Sequence, residues 1–174
     1  SDVCSSDLST LLLWEVNVKR LLMGALTGTL AAVPMTIFWE ALHKRLPGEP
    51  PRPLPPREIA EALAVKFGVH ADLSERDFQN LALALHFGYG ALTGAIFGTV
   101  APRGRTAAVG AGMAFGLGVW AVSYLGWLPA LGVRQSPRYD MPTRTRLMIG
   151  SHLVWGSAAG LLVGGSRDRK STRL

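Results

Sequence analysis

Cysteine is all but missing from this chain. The one copy, Cys4, lies in the first eight residues, and those residues do not read as protein. Residues 1–8, SDVCSSDL, back-translate to a string whose reverse complement encodes residues 168–174, DRKSTRL. Two ends of one protein have no reason to be reverse complements. The string, about twenty bases long, matches a common sequencing-library adapter, so both ends are set aside as adapter-derived, as a fusion scar would be. Residues 9–167 remain, and they are expected to form a single four-helix membrane domain. That stretch has no cysteine, which excludes disulfides, thiol chemistry and a cysteine-based metal site within it. The natural termini are expected to lie outside the sequence, so the lack of a signal peptide carries no meaning.

Charge is the second scarcity. Only 17% of residues are charged, and they are unevenly spread. Counting acids, bases and histidines, residues 21–42 hold only Glu40 and residues 78–100 only His86. Residues 107–133 hold none, and residues 147–165 only His152. Each stretch approaches the ~20 residues that a helix needs to cross a ~30 Å hydrocarbon layer. A soluble helix would alternate polar and apolar faces, and these do not. Four spans are therefore expected, at about 21–43, 76–100, 107–129 and 145–165. The fold class is an all-α, four-span transmembrane bundle.

Catalytic signatures are absent too. There is no GxSxG, phosphate loop, Walker lysine, HExxH or CxxC. The glycines sit within the spans and not in strand-to-helix turns, so nucleotide binding is unsupported. No cofactor and no enzymatic activity are expected. The net charge of +6 could suggest nucleic acid. The bases lie in loops beside the spans, however, where lipid headgroups and topology account for them better, and no nucleic-acid partner is expected.

The loops carry the remaining pattern. The long connection, residues 47–74, opens with the proline-rich stretch 47–56, expected to be an extended spacer. Residues 57–68 follow with Ile59, Leu63 and Phe67 at helical spacing, which predicts a short amphipathic helix. It would lie on the membrane surface or cap the mouth of the bundle. Ser74 and Asp77 resemble a capping box before the second span. Pro34 predicts a kink in the first span. Four spans put the 47–74 and 134–146 loops on one side, the A face, with ten Lys/Arg against five on the B face. The excess leans toward a cytoplasmic A face.

Small residues at four-residue spacing are the strongest positive signal. They are Gly24 and Gly28 in the first span; Gly90, Gly94 and Gly98 in the second; Gly112 and Gly116 in the third; and Gly156, Gly160 and Gly164 in the fourth. In lipid, helices associate largely through close backbone approach at such residues, so a GxxxG-packed four-helix bundle is expected, with a homo-oligomer or another membrane protein as possible partner. GALTG occurs at Gly24 and at Gly90, on antiparallel helices, and reads as a shared packing sequence; HxxxGxxxGxxxG occurs at His86 and at His152, on parallel helices, as two related hairpins would show.

Extended toward the A face, the stripes lead to Glu40, His43, His86, Tyr124 and His152. Ionisable groups inside spans are costly and face the bundle interior by default. These five form the candidate polar cluster. It could be a structural hydrogen-bond cluster, a proton- or ion-linked pathway, or a metal or haem site using His86 and His152, with Glu40 and His43 in an ExxH pair. Which of these holds, and whether a metal binds, is open at this level.

Pro53-Leu54-Pro55-Pro56-Arg57 and His152-Leu153-Val154-Trp155 resemble segments of the YagU-like family of small bacterial inner-membrane proteins of uncharacterised function. The layout also fits, from a glycine-rich first span to a His-led last one. The resemblance implies a multi-pass protein of the bacterial inner membrane and transfers no catalytic residue. The favoured expectation is a non-enzymatic accessory or structural bundle in the lipid bilayer. The alternative is a proton-coupled or ion-conducting protein using the Glu/His cluster.

Overall fold

The computed structural model describes residues 3–43 and 55–171, with side chains over 14–43 and 55–166. It is helical throughout, with no β-strand among the described residues. Helix α1 spans Val3–His43, α2 Pro55–Lys66, α3 Glu75–Val100 and α4 Arg105–Ala121. A π-helical turn, Val122–Trp127, prolongs α4 into the short α5, Leu128–Ala130. The last helix, α6, spans Pro142–Ser171. Four segments are long and apolar enough to cross a membrane: Trp14–His43, Glu75–Val100, Arg105–Ala130 and Pro142–Ser166. These are the four expected from the scarcity of charge.

The ends of the elements follow local chemistry. Helix α1 does not begin after Arg20. It runs 41 residues, roughly 60 Å at 1.5 Å per residue, because nothing from Val3 to Met23 is a glycine or a proline. It also runs through Pro34. The capping box before α3 is present: the Asp77 N–H donates to Ser74 Oγ at 3.3 Å, and the Ser74 N–H to Asp77 Oδ2 at 2.9 Å. Gly104, at φ 90°, makes the turn into α4.

The third span is not a plain α-helix. Pro129 has no N–H and its ring crowds the preceding turn. The Leu128 N–H then reaches five residues back to Ser123 O, the π pattern. The extra residue in this turn brings two consecutive side chains, Ser123 and Tyr124, into the interior.

The helix of the long loop begins two residues earlier than expected and ends at Lys66. Gly68, at φ 72°, closes it, with the Val69 N–H on Ala64 O (3.0 Å) and the Gly68 N–H on Val65 O (3.1 Å). Phe67, expected on its apolar face, lies past the helix and is exposed. Ala60 and Ala64 are buried, and Ile59 and Leu63 pack against the apolar cluster of Trp39, Tyr124, Leu128, Val133, Leu147 and Met148. The apolar side of α2 therefore faces the bundle mouth. The proline-rich stretch 47–56 lies mostly outside the described residues; Pro55 and Pro56 are the first turn of α2.

Two helix pairs build the body. Helix α1 crosses α3, and α4 crosses α6; α1 and α6 then join the pairs. At the first crossing, a β-carbon at Gly94 would fall 2.5 Å from Gly28 Cα, and one at Gly98 would fall 2.7 Å from Gly24 Cα. Gly90 faces the Gly28 carbonyl. At the second, a β-carbon at Gly160 would fall 2.7 Å from Val109 Cα, and one at Gly164 2.9 Å from Arg105 Cα. Gly112 and Gly156 face each other's carbonyls, and Gly116 faces that of His152. The registers correspond: Gly24 and Gly28 meet α3 as Ala108 and Gly112 meet α6. The His-led helix is the second member of each pair.

Helices α3 and α4 follow one another in sequence but hardly touch through their backbones. Aromatic rings bridge them, with Phe97 to Phe115 at 5.3 Å and Tyr89 to Trp127 at 6.1 Å between centroids. Across the other seam the Trp155 indole N–H donates to Gly28 O at 2.9 Å. Helix α6 is the central one, 56% buried over its most apolar window against 28–33% for the others. Large apolar side chains, such as Leu22, Leu26, Ile37, Leu92, Ile96 and Val122, point outward, while much of the buried set is alanine, glycine, serine or threonine.

Candidate functional site

Among the expected polar cluster, His86 and His152 lie near enough to interact electrostatically, and each also makes contacts of its own. His86 Nε2 lies 3.1 Å from Thr36 Oγ1, and that hydroxyl donates its single proton to Ala32 O at 2.8 Å. With that proton so placed, the His86 Nε2–H donates to the hydroxyl. His152 Nδ1–H donates to Met148 O, one turn back, at 2.8 Å. Its ring meets Tyr124 edge-on at 5.8 Å. The π-helical turn that brings Tyr124 inward also sets Ser123 Oγ against Tyr89 Oη at 2.8 Å. His43 stacks on Trp39 at 5.5 Å.

Glu40 is exposed on the outside of α1. The stripe of four-residue steps drifts about 40° per step on a 3.6-residue helix, and by Glu40 it has left the packed face. Tyr124 and His152 thus come together, whereas Glu40 is exposed. Among the described residues, no three His, Cys, Asp or Glu side chains are grouped so as to hold a metal ion.

A different cluster sits just beyond these groups, at the A-face mouth. Helix α2 supplies Glu58, the loop after α5 supplies Arg134 and Asp140, and the first turn of α6 supplies Arg144. Glu58 Oε2 accepts from Arg134 Nη1 at 3.1 Å and Oε1 from Arg144 Nη2 at 2.8 Å. Arg134 Nη2 donates to Asp140 Oδ2 at 2.7 Å. The Arg144 residue is 1% exposed, and the side chains of Arg134 and Glu58 are 7% and 23% exposed. Arg134 lies over the Tyr124 ring at 5.5 Å and Arg144 over Trp39 at 6.0 Å. The ion cluster thus rests on aromatic rings that include the partner of His152. No family model, curated protein or solved structure matches this chain.

The electrostatics of this mouth are unusual. Burying a guanidinium costs several kcal/mol unless its partners are well placed. Arg144 also stands in the first turn of α6, the positive end of the helix dipole, where a cation is disfavoured. Glu58 offsets both penalties, and because it bridges two arginines it ties α2, the α5–α6 loop and α6 to one another. Outside this core, Arg57 holds α2 to α3 through a two-bond pair with Glu75 at 2.6 and 2.9 Å, and bonds Glu61 at 2.6 Å. These hydrogen bonds, Glu75 first, hold the Arg57 guanidinium well above its ordinary range.

The sequence reading missed this cluster. Arg134, Asp140 and Arg144 looked like ordinary loop charges on the A face, and Glu58 like the polar side of an amphipathic helix. The one available signal was an arginine two residues after the helix-starting Pro142, which is against the dipole preference.

Proposed function

We propose that this chain is a multi-pass protein of the bacterial inner membrane that works as a non-enzymatic accessory or structural bundle. The observation that carries this reading is the inside-out distribution of side chains. Large apolar residues cover the outside of the four long helices, and glycine backbones meet inside. A water-soluble bundle would bury its leucines, whereas a bundle in lipid gains nothing from doing so and packs through small residues. Several polar groups in the spans also bond within the chain, as His86 does to Thr36 and Trp155 to Gly28. The short segments that resemble the YagU-like family support the same membrane. The outward small residues of α4, Gly110 and Gly118, leave room for a second copy or another membrane protein.

The second reading, a proton-coupled or ion-conducting protein, draws on the buried Tyr124–His152 pair beneath the ion cluster. Flux in reconstituted vesicles between about pH 5 and 8, the range in which histidine changes charge, separates the two. The expected result is no proton or cation flux above that of empty vesicles. A flux that disappears in His86→Ala and His152→Ala, with both variants folded, would replace the structural reading with the transport one.

A further inference from the structure

We propose that Arg134 and Arg144 form an oxyanion site for a phosphate or phosphoryl group, and that Glu58 is its built-in occupant. Glu58 presents one oxygen to each guanidinium, at 3.1 and 2.8 Å, and the two arginines come from different elements. That is how two arginines clamp a phosphoryl group, one oxygen each. The arrangement ties the mouth together at a desolvation cost that apolar residues of similar volume would not carry. Arg144 is held at the N-terminus of α6 against the dipole, and an anion there would be favoured by both the guanidinium and the helix end.

The donor inventory indicates more acceptor oxygens than the chain supplies. Arg134 Nε–H is buried and finds no acceptor among the described residues, although both its terminal nitrogens are engaged. The indole N–H of Trp39, whose ring lies against Arg144, also lacks an acceptor among the described residues. Each Glu58 oxygen already accepts from one guanidinium. Buried donors without acceptors are expensive, and a phosphoryl group brings three or four acceptor oxygens where a carboxylate brings two. The site also lies at the right depth: Arg144 is three residues before Leu147, where the last apolar stretch begins, so it sits at headgroup level. Entry is past Glu58, the most exposed member of the cluster after its departure from the arginines by a change of rotamer.

The ligand chemistry is shared by a free phosphate and by a lipid headgroup, and the experiment separates them. The full chain is titrated in detergent with inorganic phosphate, and is compared in phosphatidylcholine nanodiscs with and without phosphatidic acid. Chloride at equal ionic strength is the control, and thermal stability and tryptophan fluorescence are the readouts. Glu58→Gln is expected to raise phosphate affinity about tenfold or more, since it removes the competing carboxylate. Trp39→Phe in the otherwise unchanged chain, which alters no charge, is expected to weaken binding several-fold. A response to phosphatidic acid alone assigns the site to a headgroup, and a response to phosphate as well assigns it to a soluble phosphoryl compound. If neither probe acts beyond chloride on the unchanged chain and on Glu58→Gln, the proposal is wrong. Should Glu58→Gln fail to fold, equal titrations of the unchanged chain and Trp39→Phe overturn it. The inference adds a ligand to the bundle and is independent of the flux result.

Discussion

Replacing Gly94 by alanine tests the packing of the first helix pair. The new β-carbon would lie 2.5 Å from Gly28 Cα and 2.9 Å from Gly28 N, where ordinary contact is 3.4–4 Å. Both neighbours are backbone atoms of α1 and cannot rotate away, so the helices must separate by about 1 Å at the crossing. Overpacking of this kind costs ~1–3 kcal/mol. Alanine returns up to ~1 kcal/mol through its better helix propensity. The net expectation is a loss of roughly 1–2 kcal/mol. Gly110→Ala and Gly118→Ala provide the control, because nothing lies within 4 Å of a β-carbon at either position. They carry the propensity gain without the clash and should be neutral or slightly stabilising. Unfolding in mixed dodecylmaltoside–SDS micelles measures the difference. Tryptophan fluorescence follows the transition, and Trp155, whose indole bonds to Gly28 O, is one of the five contributors. If Gly94→Ala matches the Gly110 and Gly118 variants, the backbone contact is not what holds α1 to α3, and the reasoning fails.

Trp155→Phe removes the hydrogen bond that ties α6 to α1 at a buried site, so a loss of about 1–2 kcal/mol is expected in the same unfolding assay. Trp14→Phe, on an exposed indole, should leave stability unchanged, and similar losses in both would show that the seam bond contributes nothing. For topology, reporter fusions at Pro51 and at Arg103 should report opposite sides of the membrane. The same side for both would remove the four-span arrangement.

Some of this protein follows from the sequence by itself. The four long helices are legible because a helix satisfies its own backbone hydrogen bonds, so length and the scarcity of charge suffice to find them. Helix ends with a local cause are legible too, as Ser74 and Asp77 illustrate. The glycines at four-residue spacing are visible as stripes, but a stripe does not name its partner. That α1 meets α3 and α4 meets α6, while the consecutive α3 and α4 are held apart by aromatic rings, depends on all four helices at once. The π-helical turn lay behind a readable proline, yet its consequence, two adjacent side chains facing inward, appears only in three dimensions. Glu40 continues the stripe in sequence yet is exposed, because a step of four residues is not a full turn and the drift grows along the helix. The ion cluster was out of reach for a further reason. Glu58 lies 76 residues from Arg134 and 86 from Arg144 in the chain. Nothing local distinguishes those charges from solvated loop residues. Only the docking of α2 on the bundle mouth takes them out of water, and burial makes their pairing obligatory.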